Sequence, residues 1–102
     1  SKNKQLKIGK GYDHCFVLDK EMSTAAEISD ELSGRKLIIS TDSPGIQFYS
    51  GNYLSGSFSK NQGLCLETQN FPDSPNNLNF PTTILKADEK YYSKTTYKFS
   101  II

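Results

Sequence analysis

The 102-residue sequence has no tryptophan, one methionine, one histidine and two cysteines, and its net charge is only +1. Near-neutral charge gives no basic excess of the kind that nucleic-acid binders carry. No apolar run approaches the roughly 20 residues that span a bilayer. Cys15 and Cys65 lack metal or redox spacing, so we expect buried, reduced thiols in a cytoplasmic protein, with one disulfide as the alternative. These absences predict a chain with neither a nucleic-acid nor a membrane partner and with no metal site.

Strand-type sequences dominate what is present. Runs of β-branched, aromatic and apolar residues occur at residues 14–18, 36–41, 46–50, 64–69, 82–85 and 91–102. Gly, Pro and Asn residues typical of turns separate these runs. In the last run Tyr97, Phe99 and Ile101 alternate with polar residues, which predicts one apolar face. We predict an all-β chain, with an antiparallel sheet, that forms a single domain over residues 1–102.

Residues 23–32, STAAEISDEL, support two interpretations. Thr24 and Glu27 fit a helix capping box, and Gly34 fits a helix C-cap. The alternative is a strand that turns at Ser33-Gly34 and pairs with the strand that follows. We expect the hairpin, because tertiary context often overrides helix propensity over so few residues.

The most distinctive segment is residues 63–80, GLCLETQNFPDSPNNLNF, which places Glu67 in an otherwise apolar and amide-bearing strand. If that carboxylate is desolvated, its pKa rises toward the range useful for a general base. The alternative is that Glu67 lies on the solvent face of a half-buried strand. Gln69 shares the strand face of Glu67, because side chains repeat with a period of two.

This segment also carries a family resemblance. Residues 66–76, LETQNFPDSPN, resemble the catalytic strand and following loop of the galactose mutarotases, the aldose 1-epimerases. Three further blocks are similar to that family in the same order: residues 11–18 (GYDHCFVL), residues 33–53 (SGRKLIISTDSPGIQFYSGNY), and the closing strands at residues 79–81, 84–86 and 97–99. Residues 1–10 lie outside the resemblance.

Family members are much longer, and the resemblance covers their C-terminal third only. It implies an antiparallel sheet segment of a galactose-mutarotase-like β-sandwich, incomplete relative to the family. Such a segment exposes sheet edges and one apolar face. We therefore expect a second chain or a dimer mate to cover that face.

The implied activity is aldose 1-epimerase, an isomerase that interconverts the α and β anomers of galactose or glucose without a cofactor. By resemblance, Glu67 is the general base and Asp13, in the GYDH block, hydrogen-bonds sugar hydroxyls. Gln69 is expected to support Glu67 or to contact a hydroxyl. The alternatives are a non-catalytic carbohydrate-binding or interaction module and a truncated, inactive fragment.

The resemblance leaves the general acid without a counterpart, because the acid histidine of the family lies in the portion this chain does not match. Strand neighbours point to opposite faces, so His14 should face away from a sugar that Asp13 contacts. We expect His14 to be structural and bonded to a backbone carbonyl. Gln47, Tyr49 and Asn52 are assigned to the scaffold, and the loop at residues 54–62 is shorter than that of the family.

Overall fold

A computed structural model describes residues 3–9 and 11–102. A short helix, α1 (Lys4–Ile8), precedes six strands, and a 3-10 turn (Ser74–Asn76) lies between the last two. The strands are β1 (Asp13–Val17), β2 (Ala26–Ser29), β3 (Arg35–Thr41), β4 (Gly45–Tyr49), β5 (Cys65–Gln69) and β6 (Thr95–Ile101). The all-β prediction is confirmed. Within the described residues, no helix has the length and apolar character needed to cross a membrane.

The strands form two three-stranded antiparallel sheets. The first sheet has the order β1–β4–β5 and the second has the order β2–β3–β6. The two central strands, β3 and β4, follow each other in the chain, so it passes directly from the middle of one sheet to the middle of the other. The most buried apolar side chains are Ile39 of β3 and Ile46 of β4, which are 1% and 4% exposed. The core is thus centred on this central pair of strands.

Three threonine hydroxyls connect the sheets. The Oγ1 atom of Thr95, in β6, lies 3.0 Å from that of Thr41 in β3 and 2.9 Å from that of Thr68 in β5. A hydroxyl can donate one hydrogen bond and accept others, so Thr95 can bond to both neighbours at once. The bridge holds β5, the strand that carries Glu67, against the second sheet.

The hairpin prediction for residues 23–32 is confirmed. Strand β2 pairs with β3 in register, with Ala26 opposite Ile39 and Ile28 opposite Leu37. The chain reverses at Asp30, whose carboxylate accepts hydrogen bonds from the backbone N–H groups of Leu32 and Ser33. Cross-strand pairing of these apolar side chains outweighs the local capping pattern.

Asp30 gives this hairpin a pH dependence. The Ser33 hydroxyl first, and then the backbone N–H groups of Leu32 and Ser33, bond to the ionised carboxylate and lower the pKa of Asp30 below its ordinary value. Because the folded-state pKa is depressed, the stabilisation is present above the unfolded-state pKa and is lost as pH falls through the folded one. An NMR titration of the Asp30 carboxyl should show the lowered pKa, and Asp30→Asn should remove this acid-dependent loss of hairpin stability. An Asp30 pKa at its ordinary value would contradict the hydrogen bonds of this turn.

Two strand predictions near the C-terminus are wrong. Residues 81–86 form no strand, and Thr82 instead accepts a local hydrogen bond from the backbone N–H of Ile84. Strand β6 begins at Thr95 rather than at residue 91. The N–H of Lys94, just before it, bonds to the Asp42 carboxylate at 3.0 Å and 3.1 Å. The N–H of Lys94 thus bonds to a side chain and not to the backbone of β3, and the strand pairing starts at the next residue, Thr95.

The cysteine prediction holds in part. Both thiols are free, as expected. Cys15 is half-buried, but Cys65 is exposed, so the expected burial of Cys65 is wrong. It lies at the start of an edge strand of the first sheet, where no further strand covers it.

The second sheet has an exposed apolar face. Paired residues share a face: Tyr97 and Phe99 of β6 lie opposite Ile39 and Leu37 of β3, and Ile101 lies on the same face opposite Arg35. Phe99 and Ile101 are 78% and 83% exposed. Six large apolar side chains lie on this face, and Ile39 among them is buried. The other five are here called the apolar face: Ile28, Leu37, Tyr97, Phe99 and Ile101. Exposure of one apolar face agrees with the expectation from sequence.

Candidate functional site

The register of the first sheet brings the predicted site residues to one face. Gln47, in the central strand β4, is paired with Cys15 of β1 on one side and with Glu67 of β5 on the other. Directly paired residues of antiparallel strands point to the same side. Eight side chains therefore lie on one face. All of them except the apolar Val17 are here called the polar face: Asp13, Cys15, Gln47, Tyr49, Cys65, Glu67 and Gln69.

Asp13 and Gln47 are in direct contact on the polar face. The Nε2 group of Gln47 donates a hydrogen bond of 2.8 Å to Oδ1 of Asp13. An ionised carboxylate is an acceptor-only group with two oxygens, so Oδ2 remains available to a sugar hydroxyl. The scaffold role that the sequence suggested for Gln47 is incomplete. The sequence signal that could have indicated a site role for Gln47 is its position as an amide between the apolar residues Ile46 and Phe48 of β4.

Glu67 lies on the polar face but is exposed, so the desolvation that the sequence suggested is wrong for this chain. Its apolar neighbour Leu66 and its neighbour Thr68 point to the opposite side, because strand side chains alternate. With strands about 4.8 Å apart and residues about 3.4 Å apart along a strand, the Cα atoms of Asp13 and Glu67 are separated by roughly 12 Å. The two carboxylates thus face the same space from the two edge strands, with Gln47 between them.

Gln69 spans the polar face beside Glu67. Its Nε2 group lies 3.6 Å from Sγ of Cys15, across the central strand. The strand residue between them is Gly45, where an added Cβ would lie 3.0 Å from both the Cys15 sulfur and the Phe71 ring. The missing side chain lets Gln69 reach across β4, so its amide lies beside Cys15 of β1.

His14 lies on the opposite face, paired with Phe48. Its Nδ1 atom accepts a hydrogen bond of 3.1 Å from the backbone N–H of Asp13. The neutral ring therefore carries its proton on Nε2. The prediction that His14 faces away from Asp13 agrees with this register, but its backbone partner is an N–H rather than the expected carbonyl.

An open cavity of about 400 Å³ lies beside Asp13, at the edge of β1. Glu67 does not line it. The lining side chains and backbone belong to Gln5, Gly9, Asp13, His14 and Tyr53. Across the described ranges, no group of three or more His, Cys, Asp or Glu side chains could hold a metal ion.

The sequence model of the aldose 1-epimerase family matches residues 1–98, so the similarity includes the segment before Gly11 that the sequence reading had left outside. The chain belongs to the aldose 1-epimerase family.

Several relatives in this family are closely similar. A galactose mutarotase from Mus musculus is 44% identical over 101 residues, which cover 89% of this chain and 30% of that protein. A galactose mutarotase from Homo sapiens is 42% identical with the same coverage. An aldose 1-epimerase from Escherichia coli (strain K12) is 38% identical over 102 residues, 88% of this chain and 30% of that protein. The chain thus spans about 30% of the length of the curated relatives it matches.

Proposed function

We propose that this chain takes part in aldose 1-epimerisation, the interconversion of the α and β anomers of a hexose such as galactose or glucose. One observation carries the proposal: the register of the first sheet aligns Asp13, Gln47 and Glu67 on a single exposed face. Relatives named galactose mutarotase and aldose 1-epimerase support the reaction class. In this proposal the chain acts as one domain equivalent to the C-terminal third of the longer enzymes.

Glu67 is the general base of the proposed reaction. Its exposed carboxylate takes the proton from the anomeric hydroxyl while an acid protonates the ring oxygen. The bond between the anomeric carbon and the ring oxygen then breaks, and the open-chain aldehyde rotates. Closure onto the other face of the aldehyde gives the other anomer, and both protons return. The overall reaction is an isomerisation, so it needs no oxidant or reductant.

Asp13 and Gln69 are the proposed sugar-binding groups. The free Oδ2 of Asp13 accepts a hydrogen bond from a sugar hydroxyl, while Gln47 holds Oδ1 at 2.8 Å. Hydrogen bonds to an ionised partner are the stronger kind, which suits a group that anchors a neutral sugar. Gln69, which shares the strand face of Glu67, contributes a neutral contact to the sugar.

His14 is not the proposed acid. Its ring lies on the face opposite Glu67, and its Nδ1 is bonded to the Asp13 backbone. The acid in this proposal is a group of a second chain, or water. A second candidate function follows from the same observation: a carbohydrate-binding module that holds the sugar without turnover.

Polarimetry tests the proposal. Fresh α-D-galactose should reach its equilibrium rotation faster with this chain than in buffer alone. Acceleration supports the enzyme, and NMR detection of galactose binding without acceleration supports the binding module. Absence of both acceleration and binding would overturn the proposed function.

We also propose that a second protein surface covers the apolar face of the second sheet, so that both sheets become part of a β-sandwich. Exposed apolar surface of this kind marks interaction sites. Phe99→Ser should reduce dye binding or self-association, whereas Lys98→Ser, on the opposite side of β6, should not. Sedimentation equilibrium gives the mass of the chain in solution: a dimer indicates a dimer mate, and a monomer that binds dye indicates a different chain. A monomer that binds no apolar dye would contradict the proposal.

A cytoplasmic setting is also part of the proposed function, and the two free thiols support it.

A further inference from the structure

A buried polar cluster lies behind the start of β1. Only two polar side chains among the described residues are buried, Asn52 at 4% exposed and Ser74 at 5%. Buried amides are costly unless their hydrogen-bonding groups are satisfied. Asn52 lies just after β4 in the chain, yet its bonds reach to Tyr12, the residue before β1, and to Asn61 in the β4–β5 loop. Such a residue can set the relative position of three segments.

The bonds of Asn52 define its orientation. Its Oδ1 accepts hydrogen bonds from the Ser50 hydroxyl at 2.6 Å and from Nδ2 of Asn61 at 3.1 Å. Its Nδ2 donates to the backbone carbonyl of Tyr12 at 2.9 Å. A flipped amide would turn its donor toward Asn61 Nδ2, which is itself a donor, and its oxygen toward a carbonyl. Only the observed orientation satisfies all three partners.

The cluster controls the residue just before Asp13. Ser50 bonds the Tyr12 backbone on both sides: its Oγ accepts from the Tyr12 N–H at 2.9 Å, and its N–H donates to the Tyr12 carbonyl at 2.9 Å. The Tyr12 ring stacks on Phe48, with centroids 5.0 Å apart, on the side opposite the polar face. Because neighbouring side chains alternate, holding Tyr12 in this way directs Asp13 toward Gln47.

Gly11 makes this approach possible. It has a φ of +139°, and an added Cβ would lie 2.1 Å from Oδ1 of Asn52. The Asn52 amide therefore lies directly against the backbone that enters β1. Any residue with a Cβ atom at position 11 would displace the Asn52 amide.

We propose that Asn52 is a positioning residue for Asp13, acting through Gly11 and Tyr12 to hold the carboxylate where Gln47 bonds it and where a sugar hydroxyl binds. The inference rests on the proposed function for its effect on sugar binding, but not for its effect on the Asp13–Gln47 contact. Loss of the Asn52 amide should displace that contact and weaken galactose binding about tenfold, the effect of misplacing a hydrogen bond to a charged group.

The test compares Asn52→Ala with Ser74→Ala in the full chain. Ser74 is the matched control, because it is equally buried but bonds to the Phe71 carbonyl, outside the cluster around Tyr12. The readout is the side-chain amide signal of Gln47 in ¹H–¹⁵N NMR spectra, assigned by its loss in Gln47→Ala. A second readout is the galactose dissociation constant by NMR titration. We expect the Gln47 signal to shift in Asn52→Ala and to stay unchanged in Ser74→Ala.

Asn52→Asp provides a second variant if the alanine variant does not fold. It keeps the oxygen that Ser50 and Asn61 bond, but it replaces the donor to Tyr12 by a carboxylate oxygen that faces the Tyr12 carbonyl, so the Gln47 signal should again shift. An unmoved signal in either folded variant would overturn the proposal. So would failure of both variants to fold while Ser74→Ala folds, because Asn52 would then be a general folding determinant. A shifted signal in a chain that binds no galactose would support the positioning of Asp13 and refute the proposed function alone.

Discussion

Replacing Glu67 by glutamine is expected to lower the mutarotation rate of this chain by about 10² to 10⁴, the usual contribution of a general base. Glutamine keeps the shape of the side chain and its reach on the polar face, but its amide does not accept a proton at neutral pH. Since the proton transfer occurs in the transition state, kcat should fall while KM changes little. Polarimetry with fresh α-D-galactose measures both constants.

Glu27→Gln is the matched control for this change. Glu27 is also an exposed strand glutamate, but it lies in the second sheet. Its Oε1 forms an ion pair with Nζ of Lys36 at 3.1 Å. An exposed ion pair contributes about 0–1 kcal/mol, so the control should fold and keep its rate. Full turnover in Glu67→Gln would refute the role of Glu67 as base. Equal losses in both variants would indicate a general effect of removing negative charge.

The strands with apolar partners could be predicted from sequence. For β3, the sequence predicts residues 36–41 and the structure has Arg35–Thr41, because a continuous apolar run, Leu37 to Ile39, lies in a strand that is paired on both sides. Residues 82–85 have similar β-branched and apolar character, yet they form no strand. Strand propensity measures how well a residue fits a paired, half-buried surface, and no strand pairs with this segment among the described residues.

The candidate site could be predicted only along single strands. A period of two relates Glu67 to Gln69 and separates Asp13 from His14 without any knowledge of the fold. The contact between Asp13 and Gln47 joins different strands, so it depends on a register that the sequence of one strand does not specify. That register is fixed by Tyr12 and Ser50, outside the strands themselves, through backbone and hydroxyl hydrogen bonds.

The exposure of Glu67 has a related cause. In the sequence its neighbours Leu66 and Thr68 suggest an apolar environment, but in a strand they face the other side of the sheet. Whether Glu67 is buried depends on what covers the polar face, and the strand pattern alone does not carry that information. Residues one apart in sequence are thus poor guides to the environment of a strand carboxylate.

Gly51→Ala is expected to be the most destabilising single-methyl change in the β4–β5 loop. Gly51 has a φ of +70°, and an added Cβ would lie 2.3 Å from the backbone carbonyl oxygen of Gly63 and 2.9 Å from the Leu54 side chain. The left-handed conformation costs a non-glycine residue about 1–2 kcal/mol. Displacing backbone to relieve the clash should add about 1–3 kcal/mol, as at other overpacked sites.

Gly56→Ala separates these two costs within the same loop. Gly56 has a φ of +69°, but an added Cβ there meets nothing within 4 Å, so this variant should lose only the conformational part. The difference in unfolding free energy between the two variants, measured by urea denaturation, gives the cost of the contact with Gly63. In Gly51→Ala the N–H of Asn61, which donates to the Gly51 carbonyl at 2.7 Å, should also exchange faster with solvent. Equal stabilities for the two variants would mean that the loop does not close tightly at Gly51, and would contradict the close approach of Gly51 to Gly63.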